Sequence, residues 1–332
     1  MYHARFKGSH YEAGFRYGSC LNKNGITLNQ CPTFPIDEKR IKFGKECLKI
    51  YKELYPEIVE EIKGLAEGNE TSFEFLFTML STMYCFNVDN RCSCFAFKDK
   101  DNIIFGRNSD FLVSIEKYYM NVLYNLNDSY AFNGNTTAFI EIEDGVNEHG
   151  LAIGLTFIAI DKVKPGLNAG ILLRYLLEKC KTVDEAINQL KILPIASAQT
   201  ITMADSTGNM VVVECNSEKI EIVQPENNFV CATNIFHTES MKKYNLKDFD
   251  NWRADERFQT MQKAFEKANF SLNLANEVLS GKHGFICQYN RKENSDTVWS
   301  VIYDLKNKKI FRVEGNPGRK PFKEDTRFKF KE

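Results

Sequence analysis

The sequence predicts an α+β protein in which two antiparallel sheets pack face to face with helices outside them. Three observations lead there. Strand-like segments come in two blocks, each followed by helical segments, instead of alternating with helices one by one. No GxGxxG or P-loop sequence follows a strand, so a parallel nucleotide-binding sheet has little support. The 332 residues are 43% hydrophobic and 13% aromatic, which is ample for a large core. No internal repeat or low-complexity linker divides the chain, and a single domain over 1–332 is expected.

Taken in order, "FPIDEKRIKFGKECLKIYKELYPEIVEEIKGLAEGNE" reads as helix, with Ile41, Leu48, Tyr51 and Leu54 near helical spacing. Pro56 should break that run, and Gly68 is a plausible stop for the second piece. "TSFEFLFTMLSTMYCF" offers Thr71 or Ser72 as the cap of a buried helix, so roughly the first 88 residues read as helical. The texture then changes. "CSCFAFK", "NIIFGRN", "YYMNVLYNL", "TAFIEIE" and "LAIGLTFIAI" read as strands separated by turn-rich segments. Residues 168–192 return to helix in two pieces, the second opened by a capping box from Thr182 to Glu185. "QTITMAD", "NMVVVEC", "KIEIV" and "NFVCATN" form a second strand block. Helix resumes over about 252–280, and "TVWSVIYD" and "KKIFRVE" close as strands.

Composition excludes several classes. A formal charge of -1 and a pI near 6.6 give no electrostatic reason to expect nucleic acid or an anionic membrane as partner. The segment "MYHARFKGSHYEAGFRYG" lacks the pattern of a signal peptide, and no run of eighteen apolar residues spans a membrane. Ten cysteines show neither a compact disulfide framework nor CxxC or HExxH spacing, so no metal or other cofactor is expected. A cytoplasmic protein with reduced thiols is the expectation.

The stretch "NRCSCFAFKDKDNIIFGRNSDF", residues 90–111, carries the candidate chemistry. A free thiol has a pKa near 8.5, so a cysteine nucleophile needs a base or a positive charge beside it. If Cys92 begins one strand and Arg107 to Asp110 end the next, the "KDKDN" hairpin brings them together. Arg107 would then stabilise a thiolate, and Asp110 would hold an ammonium or a proton donor. A buried thiol beside a surface ion pair has the same pattern.

Two motifs resemble known families. Cys92-Ser93-Cys94-Phe95-Ala96 and Gly106-Arg107-Asn108-Ser109-Asp110 are similar to the nucleophile strand and Gly-Arg-Asn-x-Asp of bile salt hydrolases and penicillin V acylases. These are N-terminal nucleophile (Ntn) hydrolases. "GSHYEAGFRYGS" and "LYPEIVEEIKGLAEGNETSFEFLFTMLSTMY" resemble the opening and the helical segment of the isopenicillin N acyltransferase (acyl-CoA:6-aminopenicillanic acid acyltransferase) family, the closer of the two. The resemblance implies a four-layer αββα sandwich and a precursor that cuts itself between Arg91 and Cys92. Residues 1–91 and 92–332 would remain together as a non-covalent pair, with higher homo-oligomers left open. Cys92, rather than Cys94, would be the nucleophile, and its freed α-amine the general base.

"CATNIF" resembles the family's strand-end Thr-Asn motif, which makes Asn234 the candidate oxyanion donor. "GVNEHGLAIGLTF" resembles a further segment, in which Thr156 replaces an asparagine of bile salt hydrolases and becomes a candidate substrate contact. Arg91 departs from the family's glycine. Arg253, Arg257 and Arg291 are candidates for a late catalytic arginine. The substrate expected is a small acyl amide or acyl thioester, acyl-CoA included, with Phe111, Tyr118 and Phe157 as candidate apolar contacts. His149 and His237 keep an unprocessed Cys–His hydrolase in view, and a non-catalytic binding protein is the third reading.

Overall fold

The computed structural model describes residues 1–31, 34–86, 91–159, 162–247, 249–266 and 268–331. Strand β1 (Tyr2–Gly8) comes first, then helices α1 (His10–Lys23), α2 (Glu38–Leu54), α3 (Pro56–Gly68) and α4 (Phe73–Thr82). Strands β2 (Arg91–Lys98), β3 (Ile103–Leu112), β4 (Met120–Leu126), β5 (Phe132–Thr136), β6 (Asp144–Asn147) and β7 (Ala152–Phe157) follow. Helices α5 (Ala169–Lys179) and α6 (Val183–Leu190) separate these from β8 (Gln199–Ala204), β9 (Met210–Cys215), β10 (Ile220–Val223) and β11 (Phe229–Ala232). The chain ends with α7 (Ala254–Phe265), α8 (Leu272–Leu279), β12 (Ser295–Asp304), β13 (Lys309–Glu314) and β14 (Lys323–Glu324).

Local chemistry sets most helix ends. Ser9 and Glu12 form a full capping box at α1, and Asp37, Ser72, Asn168, Thr182 and Ser271 each accept a backbone N–H at a helix start. Pro56 opens α3, where its missing N–H costs nothing.

The strands form an eight-stranded sheet, β1-β4-β5-β6-β7-β8-β9-β10, and a six-stranded sheet, β11-β2-β3-β12-β13-β14. Cys94, Phe105, Val146, Ala152, Met210, Val301 and Tyr303 pack between them. The outer face of the large sheet is covered by helices α2 to α6, and that of the small sheet by α7 and α8. The four-layer sandwich expected from the sequence is therefore present.

Three local expectations fail. Tyr2–Gly8 is a strand, and it pairs with β4 in parallel, so the large sheet is not wholly antiparallel. The "TAFIEIE" segment, 137–143, is a turn-rich loop in which Phe139 takes a positive φ of 60° and Glu141 N–H bonds back to Ala138. Its alternating apolar residues imitate a strand, but Ile142 N–H pairs with the Gly170 carbonyl of α5 and not with a neighbouring strand. The helical region over 252–280 is two helices. Ile160 and Lys267, inside the expected strand 151–160 and that helical region, lie outside the described residues, as do Asp89 and Asn90.

The "GSHYEAGFRYGS" motif has a packing reason. Helices α1 and α3 cross with Gly14 and Gly18 facing Gly64 and Gly68. A Cβ on Gly14 would lie 2.0 Å from the Glu61 carbonyl oxygen, and one on Gly64 would lie 2.1 Å from that of Tyr11. Beside them a buried charge cluster ties the N-terminal helices to α5. Arg174 holds Glu61 (2.7 Å) and Glu178 (2.5 Å), and Glu178 also receives Tyr55 and His10. Burial pushes the Glu178 carboxyl up, but Arg174 and its hydrogen-bond donors outweigh this and hold it at about 2.

Gly64→Ala should destabilise the fold by about 3 kcal/mol, because the helix backbones must part to admit the methyl group. At Gly25, where a Cβ meets open space and only the φ of +72° is strained, alanine should cost about 1 kcal/mol. Urea unfolding of both variants checks the contrast.

Candidate active site

The β2–β3 hairpin assembles the centre of the site. Asp99 pins the connection by accepting the Asp101 and Asn102 N–H groups. In the resulting register Cys92 faces Ser109, Cys94 faces Arg107 and Arg91 faces Asp110. Because side chains alternate along a strand, Cys92, Arg107 and Ser109 point between the sheets. Ser93, Asn108 and Asp110 point towards α7 and α8, where Asn108 reaches the Leu279 carbonyl and Ser93 meets Arg257. Arg107 and Asp110 thus serve opposite faces of one strand.

Between the sheets, Arg107 Nη2 donates to the Cys92 sulfur at 2.7 Å. The same guanidinium gives Nε to the Leu155 carbonyl (3.1 Å), Nη1 to Asp144 (2.8 Å) and Nη2 also to Glu143 (3.3 Å). A missing side chain makes room on each face: a Cβ on Gly154 would lie 3.0 Å from Arg107 Cδ between the sheets, and one on Gly106 would strike the Phe95 ring on the helix side. Burial pushes the Cys92 thiol up to about 12, with Arg107 pulling it down and Glu143 pushing it further up. Burial would weaken the Arg107 proton, but Cys92, Asp144 and Glu143 raise its pKa above the ordinary value. Glu143 also accepts from Thr137, from Tyr84 OH (3.2 Å) and from Ser109 (3.4 Å).

On the helix side, Cys92 N–H donates to Asn234 Oδ1 at 2.9 Å. Buried Arg257 donates Nη1 to the Cys92 carbonyl (2.6 Å) and to Ser93 Oγ (3.0 Å), and Nη2 to Asn234 Oδ1 (2.9 Å). Asn234 Nδ2 gives one hydrogen to the Phe157 carbonyl (2.8 Å), and among the described residues its second hydrogen has no other acceptor. Asp110 accepts from Thr297 at 2.6 Å and lies 3.8 Å from Arg257. Burial raises its carboxyl to about 6 against the pull of Arg257.

Other sequence candidates take different places. Thr156 gives its hydroxyl to the Thr233 carbonyl (2.6 Å) and meets Thr200, so it braces the strand end that carries Asn234. Phe111 packs on Tyr119, with ring centroids 6.0 Å apart, and Tyr118 is exposed. Phe157 lies near the Tyr84 ring at 6.4 Å. Cys94 is buried between the sheets. Arg91 is buried too: it donates to the Asp250 carbonyl and lies over Phe249 and Trp252. Of the late arginines, Arg257 alone joins the site; Arg253 pairs with Glu256, and Arg291 with Glu116 and Asp296. His149 packs on Tyr130 and His237 stacks on Phe258, where burial lowers the His237 imidazole to about 4. No hydrogen bond among the described residues joins either ring to Cys92. Sequence reasoning missed Tyr84, Glu143 and Asp144. The signal for the two acids was "EIEDG", three carboxylates in an apolar stretch that require buried cationic or hydrogen-bonding partners.

The fold and the site define a four-layer α+β sandwich protein with a cysteine–arginine–carboxylate array between its two sheets. The chain belongs to the acyl-coenzyme A:6-aminopenicillanic acid acyl-transferase family, whose model matches residues 97–319. That span contains Arg107, Asp110, Glu143, Asn234 and Arg257 and begins just after Cys92. A beta-alanyl-dopamine/carcinine hydrolase of Drosophila melanogaster is 22% identical over 234 residues, a match spanning 59% of each chain. Among solved structures, the Caenorhabditis elegans N-acylethanolamine-hydrolyzing acid amidase ortholog is similar at TM-score 0.48 and 18% identity, covering 65% of this chain and 93% of that one. The Agrobacterium tumefaciens penicillin V acylase has TM-score 0.49 and 15% identity over 72% and 99%.

The Asp110 carboxyl, at about 6 in the fold against about 3.9 in an unfolded chain, binds its proton more tightly when folded. Its contribution to stability is therefore full below about pH 4 and is lost as pH rises through 6. Asp110→Asn, which cannot ionise, should gain on the parent by up to about 3 kcal/mol in all, about 2 of it between pH 4 and pH 7. Urea unfolding of both proteins at several pH values checks the sign.

Proposed function

We propose that this chain is a self-processing cysteine hydrolase or acyltransferase acting on linear amides or thioesters of small molecules. The observation that carries the reading is the Arg107–Cys92 contact of 2.7 Å at the head of a strand on which the Cys92 amide is held by Asn234. In the precursor, the Cys92 thiol attacks the Arg91 carbonyl carbon. The tetrahedral intermediate collapses with loss of the Cys92 nitrogen, leaving Arg91 as a thioester on the sulfur. Water then releases the Arg91 carboxylate and regenerates the thiol. The Arg91 side chain, docked at residues 249–252, helps hold the scissile bond in place.

The freed α-amine, with an ordinary pKa near 7.7–8.0, becomes the base that takes the thiol proton. Asn234 Oδ1 orients this nitrogen, and its uncommitted amide hydrogen meets the oxyanion. Arg257 fixes the Cys92 carbonyl and Asn234, while Asp110 balances the charge on the helix side. The acyl-thioester passes to water in hydrolysis, or to an amine or thiol in transfer. The family name supports an acyl-CoA thioester as donor, and the Drosophila relative supports an amide. Phe111 and Phe157 supply apolar walls for the acyl group, and Thr156 supports the site from behind Asn234. The ten cysteines, with no compact disulfide framework in their spacing, suit a reducing, cytoplasmic setting. Residues 1–91 and 92–332 act as a non-covalent pair within one folded unit.

Intact mass and N-terminal sequencing beside a Cys92→Ala control test the reading. The expected result is two pieces of roughly 10.5 and roughly 28 kDa, the 38.3 kDa chain shared in proportion to length, with the larger beginning at Cys92. The control should stay whole. A parent that remains intact and shows no Cys92-dependent turnover of acyl amides or thioesters overturns the proposal. In the cut enzyme, Asn234→Ala should lower kcat about 100-fold or more, read from steady-state rates.

A further inference from the structure

We propose that Asp144 is the positioning residue of this site, fixing Arg107 so that Nη2 faces the Cys92 sulfur; the proposal rests on Cys92 being the nucleophile. Asp144 does not touch the thiol. Its carboxylate is buried between the sheets and receives four donors. Oδ2 accepts Arg107 Nη1 (2.8 Å) and Trp299 Nε1 (2.9 Å), and Oδ1 accepts Tyr303 OH (2.8 Å) and Asn135 Nδ2 (2.5 Å). Two carboxylate oxygens offer about four acceptor directions, so this set leaves the side chain no second orientation. Arg107, Trp299 and Tyr303 come from the small sheet, whereas Asp144 and Asn135 come from the large one.

The backbone is arranged around this carboxylate. Asp144 pairs with Gly154 on the neighbouring strand, and the missing side chain there leaves room for Arg107 Cδ (3.0 Å from a Cβ) beside Cys94 Sγ and the Phe105 ring (2.8 Å each). On β12 a bulge lies between Thr297 and Trp299, so that Thr297 pairs with Asp110 and Trp299 with Ser109. In a regular strand residues two apart share a face. The bulge puts them on opposite faces, sending the threonine to Asp110 and the indole N–H to Asp144. A competitor makes such anchoring necessary. Glu143 lies 3.3 Å from Arg107 Nη2. A guanidinium released by Asp144 would form a two-point pair with Glu143 and leave the sulfur.

The test measures the rate at which iodoacetamide labels Cys92 across pH 6–9, located by peptide mass spectrometry, in the protein as purified. With the chain cut before Cys92, the freed α-ammonium lies beside the thiol and brings its titration down from the about 12 of the uncut fold. Asp144→Asn should slow labelling at pH 7 about tenfold and move its midpoint up by about one pH unit, because the thiolate loses its cation. Trp299→Phe should shift the midpoint in the same direction by less. A folded Asp144→Asn protein whose midpoint is unchanged or lower overturns the proposal. Removal of a nearby negative charge alone, with Arg107 still in place, would lower it. If Asp144→Asn does not fold, the direction of the Trp299→Phe shift decides. A parent protein whose Cys92 shows no titrating reaction overturns the nucleophile reading and this one with it.

Discussion

Everything near Cys92 depends on how one buried cation is shared. Arg107 carries the positive charge closest to the thiol, and it is surrounded by Glu143, Asp144 and a backbone carbonyl. A guanidinium taken out of water needs all its donors satisfied, and here the sulfur is one of the acceptors. Charge compensation and the placing of a cation against the thiol are therefore one arrangement. The fold supplies it by pressing two sheets together, with the arginine from one meeting the carboxylates borne on the other and on the loop before it.

The helix face of the same hairpin follows a different logic. There Arg257 binds the backbone of Cys92 and the Asn234 amide, while Asp110 answers the charge from 3.8 Å. The thiol and the main-chain carbonyl of one residue are thus held by separate arginines on opposite sides of a sheet. Strand alternation makes this separation possible, and it leaves little freedom for either arginine to replace the other.

Much of this was legible in the amino-acid pattern. The turn at 99–102 between two strand-like runs brings Arg107 to Cys92, and Ser72, Pro56 and Thr182 mark helix ends by chemistry that acts within a few residues. What stayed hidden depends on partners distant in sequence. Arg257 looks no different from Arg253 until α7 packs beneath the hairpin. The 137–143 loop alternates like a strand, and only the Gly170 carbonyl of α5 and the buried demands of Glu143 draw it into another shape. Tyr2–Gly8 carries too few apolar residues to announce an edge strand. The bulge beside Trp299 has no signature of its own.

Strand β1 has a consequence for any chain opened ahead of Cys92. Its seven residues are zipped along β4, and the helices that follow are locked to α5 through Arg174, Glu61 and Glu178. The shorter piece would be woven into the longer one at a sheet edge and through a helical layer, with no surface on which to let go piecemeal. Dilution would not separate the two, and pieces from different molecules would not trade places without unfolding. A covalent break at that point would change what the new terminus can do while leaving the molecule a single kinetic entity.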